Sequence, residues 1–250
     1  MGNGMGLVVC GHRPVDEWGA PTNRSALVLG LCYTTRMQIK GAIFDQDGLL
    51  FDTEILFQRA WIQAGTEMGV AVPAAMTRAL CGCGRDALPA VIGRFLPELD
   101  VSAYVDRAIS LAFNAQMTMT PVLKPGVREM LACCREKGVR TAIATSSMLH
   151  LVEHNLASTG LVGAFDAIVT GSDVEHGKPE PDIFLLAAAK LGLAPADCLV
   201  FEDAFTGIRA AHAAGCRPVL IPDRLEPTAE ILELCICRSS LLEARDVMDF

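Results

Sequence analysis

The chain has 250 residues, 51% of them hydrophobic and 20% charged, a balance that excludes intrinsic disorder and provides for a sizeable core. With 21 basic and 29 acidic residues the net charge is −8, which argues against electrostatic partnership with nucleic acid or an anionic membrane surface. No apolar run reaches the ~18 residues of a membrane span, and ten cysteines without a C-x-x-C pair read as free thiols of a reducing, cytoplasmic compartment.

Residues 1–36 hold six of the 22 glycines and show no helical period. The short apolar run from Ala26 to Cys32 is not followed by a small-residue cleavage site, so a secretory signal is not the reading. Residues 1–36 are instead expected to be a flexible N-terminal extension, with the fold beginning at Met37. From there, five short apolar runs have the length of strands buried on both faces: Gln38 to Asp45, Val139 to Thr145, Asp166 to Gly171, Cys198 to Glu202 and Arg217 to Pro222. Helical patterns lie between them. Val127, Met130, Leu131 and Cys134 recur at i, i+3, i+4 and i+7 and stop at Gly138. Pro181-Asp182 opens another helix, and Thr206 to Ala214 makes a third, ended by Gly215. Strands separated by helices of this length predict parallel βαβ units and a doubly wound, Rossmann-like α/β sheet.

One stretch breaks the alternation. From Glu54 to about Thr120 only helical patterns occur, with Phe57, Trp61, Ala64 and Met68 on one stripe and further helices around 74–80, 84–95 and 100–117. Pro121 and Lys124-Pro125-Gly126 mark the return to the α/β pattern. The expected organisation is a core of residues 37–53 and 121–250 interrupted by an all-helical cap over 54–120.

In open α/β sheets, ligands bind beyond the carboxyl ends of the strands. The first strand ends in Asp45-Gln46-Asp47-Gly48 and the second in Thr145-Ser146-Ser147. Lys178 follows the third, and the fourth ends in Glu202-Asp203. Any one of these reads as an ordinary cap or turn; convergence of four carboxylates, a lysine and hydroxyls on one rim is the informative feature. Carboxylates without a histidine or cysteine cluster suit Mg²⁺, and the lysine and hydroxyls beside it suit a phosphate. Asp45 and Asp47 project to the same side of extended backbone. One can attack phosphorus while the other handles the leaving-group proton, which describes phosphoryl transfer through an aspartyl phosphate.

The segments FDQDGLLFDTE (44–54), AIATSS (142–147), HGKPEPDIF (176–184) and LVFEDAFTGIRAAHAAG (199–215) resemble, in order and spacing, the four motifs of the haloacid dehalogenase superfamily of phosphotransferases. The resemblance is to its helical-cap branch of sugar phosphatases, pseudouridine 5′-phosphatase and β-phosphoglucomutase, and it covers nearly all of 38–223. It implies Asp45 as nucleophile and Mg²⁺ ligand, and Asp47 as general acid and then base, with its carbonyl on the metal. It implies Thr145, the Ser146 amide and Lys178 as the phosphate site, Asp203 as a metal ligand, and Glu202 as a direct or indirect one. Glu54 and Arg85 are the cap residues it offers for substrate. The mutase branch carries a histidine where this chain has Phe57 and a lysine where it has Met148, so hydrolysis of a small phosphorylated metabolite is expected over phosphosugar mutation. A non-catalytic binding module on the same fold is the more distant alternative.

Two other signals compete. His150-Leu-Val-Glu153-His154 matches the H-x-x-E-H zinc pattern, but Leu149, Val152 and Leu156 make the segment an ordinary amphipathic helix. His176 precedes Gly177-Lys178 and either lines the site or only shapes that loop.

Overall fold

The structure is a computed structural model, and it describes residues 39–80, 83, 87–224 and 226–249. The expectations for residues 1–36, for the start at Met37 and for Arg85 lie outside the described residues. Six strands form one parallel sheet in the order β3-β2-β1-β4-β5-β6. They are β1 (Gly41–Phe44), β2 (Arg140–Thr145), β3 (Ala167–Thr170), β4 (Cys198–Glu202), β5 (Arg217–Leu220) and β6 (Ile236–Cys237). The first three strands run outward one way, and the chain then returns to the far side of β1 and runs the other. The reversal lies between β1 and β4, where such sheets open a crevice at the strand ends.

The alternation of side chains sends Ala42, Phe44, Ile143, Leu199, Phe201 and Val219 to one face. Ile43, Ala142, Ala144 and Val200 go to the other. The first face is covered by α5 (Val127–Lys137) and α6 (Leu149–Thr159), through Val127, Met130, Leu131, Cys134, Val152 and Leu156. The second is covered by α7 (Asp182–Lys190) and α8 (Phe205–Ala213), through Ile183, Phe184, Ala187, Ala188, Ala210 and Ala211. Burial on both faces is why the strand segments read as unbroken apolar runs. Phe44 and Phe201 stack with centroids 4.9 Å apart, joining β1 to β4 directly beneath the crevice.

Between β1 and β2 stand α1 (Glu54–Glu67), α2 (Ala74–Leu80), α3 (Leu88–Phe95) and α4 (Val101–Thr118). They bury Trp61, Ala64, Met76, Ile92 and Tyr104 in a cluster of their own. Asp100 starts α4 by accepting from the Ala103 amide at 3.1 Å. The two linkers to these helices are zipped together. Asp52 N donates to Val122 O at 2.9 Å, Lys124 N donates to Leu50 O at 3.0 Å, and Phe51 bridges Leu123 in antiparallel fashion.

The elements deviate from the sequence pattern mainly at their ends. The fifth strand stops at Leu220, two residues early, and the expected start of the third of these helices at 84 lies outside the described residues. α9 (Ala229–Leu234) and β6 were not foreseen, because a two-residue edge strand is too short to show a period. No helix among the described residues is long and apolar enough to cross a membrane.

Candidate active site

The parallel register places Phe44 of β1 level with Ile143 of β2 and Phe201 of β4. Asp45, the next residue, therefore emerges level with Ala144 and Glu202, and its amide donates to Phe201 O at 3.0 Å. The chain then turns sharply, with Leu50 N and Phe51 N both donating to Gln46 O. Gly48 sits in that turn at φ 88°. A Cβ there would lie 2.1 Å from Asp203 Oδ2, so only glycine lets the β1 turn and the end of β4 approach this closely.

Lys178 reaches in from the loop after β3. Its Nζ donates to Asp45 Oδ1 at 2.5 Å, to Glu202 Oε1 at 2.6 Å and to Ala144 O at 3.1 Å. All three ammonium protons are thus engaged, and the Phe184 ring lies 5.1 Å from the cation. The second oxygen of Glu202 accepts from the amides of Asp203 and Ala204, both at 3.0 Å. With both oxygens held, Glu202 fixes the lysine and the start of α8.

The electrostatics follow from crowding. Burial pushes the Asp45 carboxyl up; Lys178 pulls it down, but Glu202 and Asp47 push it up again, to about 7. Burial, Glu202 and Asp45 likewise hold Asp203 well above the usual carboxylate range. Burial alone would depress the Lys178 ammonium, but Asp45 and Glu202 outweigh it and keep the cation charged.

Asp47 is held by the second strand end. Ser147 Oγ donates to its Oδ2 at 2.6 Å, and Gln46 Nε2 donates to the same oxygen at 3.3 Å. Its Oδ1 is buried without a hydrogen-bond partner. Thr145 is buried, and its Oγ1 accepts from the Ser147 amide at 3.0 Å. Asp45, Asp47, Thr145, Ser146, Lys178, Glu202 and Asp203 all line one cavity of about 320 Å³. Glu54 and Phe57 of α1 line it too, as do Asp223 and Arg224.

Asp45, Glu202 and Asp203 each offer an oxygen within 4.8 Å of one another. An all-oxygen set suits a hard divalent cation, and burial, with the neighbouring carboxylates adding to it, raises the carboxyl groups of Asp45 and Asp203, so a cation among them would favour their ionised forms. The residues present therefore fit the group expected from the sequence.

Eight of the nine residues singled out in the sequence fall on this cavity; the ninth, Arg85, lies outside the described residues. Sequence reasoning passed over the contact of Ser147 with Asp47, and it missed Asp223 and Arg224. Pro222-Asp223-Arg224 follows the fifth strand, so the strand-end rule applied once more would have found them. Arg224 Nη2 lies 3.3 Å from Asp52 Oδ1 and its Nε 3.2 Å from Asp223 Oδ2, while Lys124 Nζ holds Asp223 Oδ1 at 2.6 Å.

The competing signals dissolve into local contacts. His150 packs edge-on against Phe113, and His154 Nε2 lies 3.2 Å from Met119 O. Among the described residues the only candidate metal cluster is the carboxylate set above. His176 is exposed, with Nδ1 3.3 Å from Asp182 Oδ1 at the start of α7, and it does not line the cavity.

Comparison with known proteins agrees with this geometry. Residues 39–215 match the haloacid dehalogenase-like hydrolase family. The chain is 31% identical over 231 residues to hexitol phosphatase B of Escherichia coli K12, covering 86% of this chain and 99% of that protein. It is 35% identical over 196 residues to a probable pseudouridine-5′-phosphatase of Drosophila melanogaster, covering 74% and 83%. Among solved structures, a putative β-phosphoglucomutase from Thermotoga maritima superposes with a TM-score of 0.70 at 28% identity, over 84% of this chain and 98% of that one. The chain belongs to the haloacid dehalogenase-like hydrolases, and it is an enzyme of that family's phosphatase type.

Proposed function

We propose that the chain is a Mg²⁺-dependent phosphatase that hydrolyses a small phosphorylated metabolite, a sugar phosphate or nucleotide-like monoester, through an aspartyl phosphate on Asp45. The observation that carries this reading is the pairing of two differently held carboxylates. Asp45 Oδ1 is anchored on Lys178, whereas Asp47 is steadied by Ser147 through one oxygen and keeps the other buried without a partner.

The roles follow from that difference. An oxygen of Asp45 attacks phosphorus, and the ester oxygen departs with a proton from Asp47. Asp47, now ionised, takes a proton from a water that attacks the phosphorus of the aspartyl phosphate. Inorganic phosphate leaves and the Asp45 carboxylate is restored. Thr145 and the Ser146 amide hold the phosphoryl oxygens, and Lys178 holds charge on Asp45 through the displacement. Asp45 and Asp203, with the Asp47 carbonyl and with Glu202 behind them, would hold Mg²⁺, which supplies positive charge to the phosphoryl oxygens. Residues 54–120 act as a cap on a core of residues 37–53 and 121–250 and exclude water during the reaction. A cytoplasmic location is supported by the seven described cysteines, all free thiols.

Hydrolysis is favoured over a mutase reading by Phe57 on the cavity wall and by the exposed Met148 at the start of α6. Neither offers a polar group to a bisphosphate intermediate. The test is phosphate release from sugar phosphates, nucleotides and pseudouridine 5′-phosphate with Mg²⁺, with EDTA as control. Asp45→Asn should lower turnover on the order of 10⁴-fold or more; unchanged release from that variant refutes the nucleophile assignment.

A further inference from the structure

A second cavity, also about 320 Å³, lies among the helices between β1 and β2 and shares Glu54 and Phe57 with the first. Glu54, Phe57 and Trp61 are spaced i, i+3 and i+7, so one stripe of α1 leads from the phosphate site into this cavity. Two helical turns carry it about 10 Å. Beyond the shared residues the described lining is Trp61, Leu80, Cys83, Leu88 and Ile109. Cys83 Sγ is engaged with Ala79 O at 3.2 Å. Trp61 is held in place by Tyr104, whose hydroxyl donates to Trp61 O at 2.8 Å and whose ring lies 5.6 Å from the indole.

Resting on the phosphatase reading above, we propose that this cavity is a leaving-group subsite, and that the substrate is a phosphomonoester whose alcohol carries a flat, largely apolar ring a few bonds beyond the ester oxygen. A polyol chain extended past Glu54 would trade water for Phe57, Trp61, Leu80, Leu88 and Ile109, described side chains with little hydrogen-bonding capacity, which is unfavourable for each hydroxyl. A ring would bury apolar surface and meet the faces of Phe57 and Trp61. The same stripe therefore selects against sugar-alcohol phosphates while leaving the phosphate site itself unchanged.

The test is kcat/KM of the full chain with Mg²⁺ on 3-phenylpropyl phosphate and propyl phosphate, whose leaving groups are primary alkoxides of similar basicity, and on glucitol 6-phosphate. The phenylpropyl ester should exceed the propyl ester about tenfold (~1.4 kcal/mol). In Ile109→Trp, which fills the cavity, that ratio should fall towards one, and Cys83→Phe serves the same purpose should the first variant not fold. A ratio near one in the parent chain overturns the proposal, as does a ratio unaltered in the folded variants or a preference for glucitol 6-phosphate. Should none of these esters be hydrolysed, phosphate release from the panel above decides the phosphatase reading. Calorimetry with 3-phenylpropylphosphonate and propylphosphonate then decides the subsite alone: about tenfold tighter binding of the first, lost in the filled variants, sustains it, and equal binding refutes it.

Discussion

The carboxylate of Glu202 occupies the space above Gly207, where a Cβ would lie 1.8 Å from Oε1 and 2.0 Å from Cδ. Glu202 can swing aside only by giving up its bonds to Lys178 and to the amides of Asp203 and Ala204, which hold both its oxygens. The glycine in the first turn of α8 thus sets the position of the lysine, which sets that of Asp45. Gly207→Ala should lower kcat roughly 10- to 100-fold while the fold is kept, since it displaces a group that orients Lys178 against Asp45, the proposed nucleophile. Steady-state kinetics beside circular dichroism check this; near-normal kcat would show that Lys178 does not depend on Glu202.

Stability and metal binding should respond to pH in opposite directions. The Asp45 carboxyl is raised to about 7 in the folded chain, so the folded state holds its proton more tightly than the unfolded state does. That contribution to stability is full below about pH 4 and is lost as pH rises through about 7. Asp203 is raised in the same sense. Mg²⁺ needs both groups ionised, so the rise in Tm on adding Mg²⁺ should grow between about pH 5 and about pH 8. In Asp45→Asn the metal-free protein should melt several degrees higher at the alkaline end and respond less to Mg²⁺. Thermal unfolding with and without EDTA checks both signs.

Arg224 stands at the cavity mouth between Asp52 and Asp223. It is partly exposed, so its ion pairs add little to stability. Its contribution should appear in substrate capture. Arg224→Gln is expected to raise KM roughly three- to tenfold with little change in kcat or Tm. A fall in kcat at constant KM would instead place Arg224 in the chemical step.

Tyr104 is fully buried, and its hydroxyl crosses from α4 to the Trp61 carbonyl of α1. Tyr104→Phe removes that bond without leaving a large void and should cost about 1 kcal/mol. Denaturant unfolding measures this.

Much of the candidate site was legible in the sequence. Asp45 follows, and Thr145 and Glu202 end, strands whose apolar runs come from burial on both faces of a parallel sheet, so position in the chain already announced position in space. The order and type of the elements followed from the same periods, and so did the helical insertion after the first strand. Local pattern could not say which oxygens meet. That Ser147 rather than Thr145 touches Asp47, that Lys178 uses all its protons on the protein, and that Asp223 and Arg224 join the cavity depend on register and loop path across 24 to 133 residues of separation. Pairing over such distances leaves no periodic trace. The apolar cavity is likewise a product of tertiary packing: Trp61, Leu80, Leu88 and Ile109 look like ordinary core residues in sequence, and only the meeting of four helices leaves space between them.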